Sequence, residues 1–290
     1  MNKILVPVDF SEQSIFAFRL ALDIAHQSGG TVLLLNVTSE PALHEATLMQ
    51  IVSFRKEVVQ EFTQVAEKKF ARMINEFNTE GVKVQTHIVS GGVHSSILHF
   101  IREENIDLVL MGTKGVSGMK EWMVGSNTEK IVRASPVPVI AVKNYEPGQL
   151  IKHIVFPNSL ETGNQEDLVM KVKALQNFFK ANLHIIWVNT PALYKPETQI
   201  RLKLQAFAKR FMLKDYTINV FNYSNEEAGI HEFTKQVNGD LIAMGTHGIT
   251  GIAHLFTGSV AEDVVNHVRY PVWTYCAKSA EKFATLKKEA

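Results

Sequence analysis

One cysteine, Cys276, stands in 290 residues, so no internal disulfide framework can form and the chain suits a reducing compartment. Within the strand-like PVWTYC that thiol reads as a small buried apolar group. Long hydrophobic runs are missing too. Asp9 cuts the N-terminal run of MNKILVPVDF short, which excludes a signal-peptide core, and no stretch approaches the ~18–20 apolar residues of a membrane helix. Neither sign of charge dominates. Lysine and arginine number 30 against 29 carboxylates, a net +1 that gives no electrostatic case for nucleic acid or an anionic membrane. The expected compartment is the cytoplasm. What is present, 46% hydrophobic and 20% charged residues, is a globular composition long enough for two domains.

The chain repeats itself. DLVLMGTKGVSGMKEWMVGS, from Asp107, aligns without a gap on DLIAMGTHGITGIAHLFTGS, from Asp240, with Gly112 on Gly245, Ser126 on Ser259 and Pro138 on Pro271. Earlier segments align more loosely. KILVPVDFSE faces KHIVFPNSLE, which pairs Asp9 with Asn158 and Val8 with Pro157, and LLLNVT faces IIWVNT. The expected domains are 1–145 and 151–278, joined through the Pro147-Gly148 turn and followed by a tail, 279–290.

In the first half, β-branched runs predict strands at 3–8, 31–37, 83–89, 107–111 and 137–142. Helices are expected from the Ser11 cap to the Gly29-Gly30 pair, over 45–78, over 94–104 and from Ser126. Strands alternating with helices, and apolar throughout, imply an α/β fold with a parallel sheet covered on both faces. On the long helix Phe54, Val58, Phe62 and Val65 have core-like spacing.

The glycines pose the chemical question. Gly112 follows LVLM at the carboxyl end of a strand; Gly115 and Gly118 come next, and Gly125-Ser126 precede a helical stretch. Ligands of open α/β sheets settle outside the carboxyl ends of strands, where glycines let the main chain approach closely. Free N–H groups and the positive end of the helix dipole at Ser126 favour an anion, and the Ser126 hydroxyl adds a donor. The chemistry suggested is phosphate cradling. A pair of tight turns and a helix cap would produce the same letters, and duplication copies turns as faithfully as sites.

The spacing G-2x-G-9x-G-[ST] after a fourth strand resembles that of the universal stress protein family. Gly112, Gly115, Gly125 and Ser126 fit it, as do Gly245, Gly248, Gly258 and Ser259; the opening ILVPVDFSEQS and Gly91-Gly92 fit as well. The resemblance implies two tandem, Rossmann-like, five-stranded parallel domains of order 3-2-1-4-5, paired through apolar edge strands as an intramolecular pseudo-dimer. It implies ATP as ligand, with which Mg²⁺ could travel. Pro7, Val8, Asp9 and Val37 would surround the base; Met111, Gly112, Lys114, Gly115, Gly118, Gly125, Ser126, Asn127 and Thr128 would line the ribose and phosphates. A possible second site would use Asn158, Met244, Gly245, His247, Gly248, Gly258, Ser259 and Val260. Exposed edges invite association, so a homodimer and a protein partner are also expected.

The halves differ in charge. Residues 112–133 carry four cations against two carboxylates, whereas 245–266 carry two carboxylates and neutral histidines. A polyphosphate should therefore prefer the first half. His94 and His99 lie five apart, unlike the i, i+4 pair of a helical metal site, and no metal cluster is expected.

Three functions stay open: an ATP-occupied sensor or regulator, a slow ATPase, and a nucleotide-independent scaffold or holdase built on the long helix. No SGG loop, Walker lysine loop or H-x-G-H signature occurs, and only Asp9 could serve as a base for water, a role for which base recognition suits it better, so any ATPase activity should be slow.

Overall fold

Covered parallel strands need apolar residues on both sides, and Ile4, Leu5 and Val6 are fully buried in succession. They belong to a computed structural model that describes residues 1–38, 48–113, 126–146, 148–160, 165–246, 260–277, 279–281 and 284–285, without the side chains of 48–59, 126, 262 and 266. The chain forms two compact units, Met1–Gly112 and Thr113–Ala290.

The first unit holds β1 (Lys3–Pro7), α1 (Glu12–Ser28), β2 (Thr31–Thr38), α2 (Leu48–Asn75), β3 (Lys83–Ser90), α3 (Val93–Glu103) and β4 (Leu108–Gly112). Its strands lie side by side as β3-β2-β1-β4, all parallel. α1 begins where Ser11 Oγ accepts the Ser14 amide and ends at Gly29, whose φ of 66° is the left-handed cap expected of a glycine there. Asp107 fixes the start of β1 by accepting the amides of Asn2 and Lys3, at 2.6 and 3.1 Å.

The second unit holds α4 (Ser126–Ala134), β5 (Val139–Val142), β6 (His153–Pro157), α5 (Glu166–Phe179), β7 (Asn182–Asn189), a 3₁₀ turn (Pro191–Leu193), α6 (Glu197–Arg210), β8 (Tyr216–Asn222), α7 (Glu226–Gln236), β9 (Leu241–Gly245), α8 (Val260–His267) and β10 (Val272–Tyr275). Strand order is β5-β10-β9-β6-β7-β8, parallel except for β5 against β10. The second repeat thus shows the expected 3-2-1-4-5 order in full. One face of this sheet, including Val155, Ile186, Ile242 and Met244, packs on Ile230 and Phe233 of α7, on Val264 of α8 and on Val268 just after it.

One expectation fails on α2. Ala66, Phe70 and Met73 are buried, but Phe62 and Val65 are 50% and 45% exposed; Phe54 and Val58 lie outside the described side chains. A helix of 28 residues runs ~42 Å, whereas the eight-residue strands β2 and β3 run only ~26 Å. The helix outruns the sheet it covers, so core-like spacing there meets no core.

Candidate functional site

In the first unit, Pro7, Val8 and Asp9 stand at the carboxyl end of β1, Val37 near that of β2, and Met111 and Gly112 at that of β4. The fold therefore gathers these six on one edge. Val8 and Met111 are buried and Val37 is half-buried, giving an apolar rim, while Asp9 is exposed. Both main-chain groups of Val8 are committed: its amide donates to Leu35 O at 2.8 Å and its carbonyl accepts from Asn36 Nδ2 at 2.7 Å. Asn36 escaped the sequence reading; a lone amide within the apolar LLLNVT run was the signal.

Asp9 shapes the edge. Its Oδ1 accepts the Ser11 amide at 3.0 Å and the Ser11 hydroxyl at 2.5 Å, closing a turn in which Phe10 takes φ 64°. A bulky residue in the left-handed region is strained, and here the ring of Phe10 is anchored edge-on to Phe70, centroids 5.0 Å apart. Partial desolvation alone would raise the Asp9 pKa; hydrogen bonds, foremost those from Ser11, outweigh it and hold the carboxyl below its ordinary value. The group is an anion at neutral pH.

Gly112 has a different occupant from the one its motif suggests. A Cβ there would lie 2.4–2.6 Å from main-chain atoms of Gln13 and Ser14 in the first turn of α1. At Gly245 the Cβ would meet only the tip of Leu168, at 2.7 Å. Helix packing by itself accounts for glycine at 112.

In the second unit α4 begins at Ser126, with Asn127 half-buried and Thr128 buried. Arg133 pairs with Glu129 at 3.1 Å, so two of the charges in the first-half tally are spent on each other. Lys114, Gly115, Gly118, Gly125, His247, Gly248, Gly258 and Ser259 lie outside the described residues. Thr113 follows β4 and Thr246 follows β9, and the hydroxyl of each is buried without a hydrogen-bond partner among the described residues. Sequence reasoning passed over both. Among the described residues no group of three or more His, Cys, Asp or Glu side chains gathers.

The two repeats do not correspond as the loose alignment had them. Asp240 accepts the amides of Lys152 and His153 as Asp107 accepts those of Asn2 and Lys3. Ile154 pairs with Leu241 as Ile4 pairs with Leu108, and Asn158 N donates to Ile186 O as Val8 N donates to Leu35 O. Leu160, with φ 58°, repeats Phe10. The partner of Val8 is therefore Asn158, and that of Asp9 is Ser159. On β7, by the same frame, Val37 corresponds to Val188 and Thr38 to Asn189. A slip of one residue turns a side chain to the opposite face, and only the ladder hydrogen bonds fix it.

The sequence model of the universal stress protein family matches residues 1–143 and 189–275. Universal stress protein MJ0577 of Methanocaldococcus jannaschii is 29% identical over 153 residues, 49% of this chain and 94% of its own length. Universal stress protein MJ0531 of the same organism is 30% identical over 145 residues, 49% of this chain and 82% of its own. A solved universal stress protein from Archaeoglobus fulgidus covers 95% of this chain and 98% of its own, with a TM-score of 0.69 at 19% identity, a likeness of fold.

Proposed function

The chain belongs to the universal stress protein family, and from that premise we propose that its first repeat binds ATP and that occupancy regulates association with a protein partner. The observation that carries this is placement. Gly112 ends the parallel strand β4 and Ser126 opens α4, and the glycine-rich motif fills the sequence between them. Main-chain N–H groups and the helix dipole there suit a polyphosphate.

The residues at hand fit the nucleotide. Val8, Val37 and Met111 supply an apolar rim and Asp9 an acceptor for an adenine amino group, with Thr113 Oγ1 an unspent hydroxyl at the loop entrance. Gly115, Gly125, Ser126, Asn127 and Thr128 would hold ribose and phosphates, and Mg²⁺ would arrive with them. Asp9 is engaged in turn formation and would recognise the base, which leaves no positioned base for water among the described residues, so any hydrolysis should be slow.

The two repeats would pair through β5 and β10, whose antiparallel register sets Ile140 against Trp273, as domains 1–145 and 151–278 of one pseudo-dimer. Homodimerisation of the whole chain and a cytoplasmic location complete the proposal; among the described residues no helix is long and apolar enough to cross a membrane.

A scaffold or holdase is the second reading, favoured by the exposure of Phe62 and Val65 on α2. Mass spectrometry of nucleotide carried through purification, then calorimetric titration with ATP, separates the two. The nucleotide reading expects micromolar affinity, roughly −7 to −9 kcal/mol, lost in Gly125→Val. Wild-type protein that neither carries nor takes up adenine nucleotide would leave the scaffold.

A further inference from the structure

The corrected correspondence between the repeats exposes a pattern at the carboxyl edge of the second sheet. Three positions there carry asparagine where the first repeat carries Val8, Thr38 and the helix-cap residue Gly92; the amides of Asn158 and Asn189 are bonded at both ends inside the fold, and Asn225 caps a helix through its oxygen.

Asn158, after β6, forms a reciprocal pair with Gln165: its Nδ2 donates to Gln165 Oε1 at 2.7 Å, and Gln165 Nε2 donates back to Asn158 Oδ1 at 3.3 Å. The same Oδ1 accepts the Leu160 amide at 2.8 Å, so the turn that Asp9 closes in the first repeat is closed one residue earlier in the second. Ser159, in the place of Asp9, brings no charge.

Asn189, at the end of β7, is buried and clamps the following turn. Its Nδ2 donates to Lys195 O at 3.1 Å and to Asn222 Oδ1 at 3.0 Å, and its Oδ1 accepts the Lys195 amide at 3.0 Å. Asn225, after β8, caps α7 by accepting the Ala228 amide at 2.8 Å, whereas Gly92 leaves the first turn of α3 without a side-chain cap. A ligand entering beside Asn158 or Asn189 must break amide bonds that already satisfy each other, and Ser159 offers it no carboxylate in the place of Asp9.

We infer that the second repeat is sealed by these three asparagine clasps, so that each chain takes up a single nucleotide, in its first repeat. This rests on the nucleotide-binding reading above. It gives the duplicated domain a constitutive, nucleotide-independent conformation, set beside one that responds to occupancy.

Native mass spectrometry of the full chain titrated with ATP tests it, with far-ultraviolet circular dichroism confirming that each variant is folded. The expected stoichiometry is one ATP in wild type and none in Gly125→Val. The variant N158V/S159D/N189T/N225G, which grafts first-repeat residues onto the second, should accept a second ATP. Two ATP in wild type, or one retained in Gly125→Val, overturns the inference while leaving nucleotide binding intact. A grafted variant that stays at one overturns the clasps as the seal. No ATP in either wild type or grafted variant overturns the underlying nucleotide reading as well.

Discussion

A Cβ on Gly112 would stand 2.5 Å from the main-chain nitrogen of Ser14, so the end of β4 and the start of α1 meet through bare backbone. The backbone cannot step aside as a side chain can. Gly112→Ala should therefore cost ~1–3 kcal/mol of stability, the range for overpacked sites. Gly245→Ala presses only on the tip of Leu168 and should cost under ~1 kcal/mol. Urea unfolding of the two variants decides it, and equal losses would mean that α1 yields as readily as Leu168.

Asp9 and Ser11 can be separated by mutation although they are bonded. Ser11→Ala removes the cap that Ser14 N uses and should lower stability by ~1 kcal/mol, with little change in ATP affinity. Asp9→Ala should weaken ATP binding about tenfold, the ~1.4 kcal/mol of one hydrogen bond to a charged group. Parallel calorimetry and thermal melts of the pair check the split; an affinity loss in Ser11→Ala as large as that in Asp9→Ala would assign the carboxylate a purely structural role.

His184 should give the protein an acid-sensitive limb. It is buried on β7, with Nε2 3.0 Å from His153 Nδ1 and Nδ1 2.9 Å from Thr217 Oγ1. Burial, then the neighbouring His153, pushes its pKa below the ordinary value of ~6.5. The unfolded chain binds this proton before the native one does, so the stability is whole above ~6.5 and drains away as pH falls toward the lower native value. Urea midpoints measured from pH 8 to pH 5 should decline, and His184→Gln should flatten that decline while lowering the plateau.

Along α2 the cost of substitution should follow exposure and not spacing. Phe70 is 2% exposed and stacks edge-on with Phe10; Phe70→Ala should cost ~3–5 kcal/mol. Phe62→Ser should stay within ~0.5 kcal/mol, as for other surface changes. A loss at Phe62 comparable to that at Phe70 would mean that something covers the outer turns in solution.

Local chemistry was enough to announce much of this protein. The Ser11 cap, the Gly29 stop and the buried runs ILV and LVLM are set by residues within a few positions of one another, and the strands and helices stand where those signals fall. Tertiary structure decided what depends on partners distant in sequence. Ladder hydrogen bonds moved Asn158 onto Val8, the backbone of α1 claimed the space beside Gly112, and the short sheet left Phe62 and Val65 outside the core. Register, close approach and coverage are relations between segments, and a string of residues carries the segments without the relations.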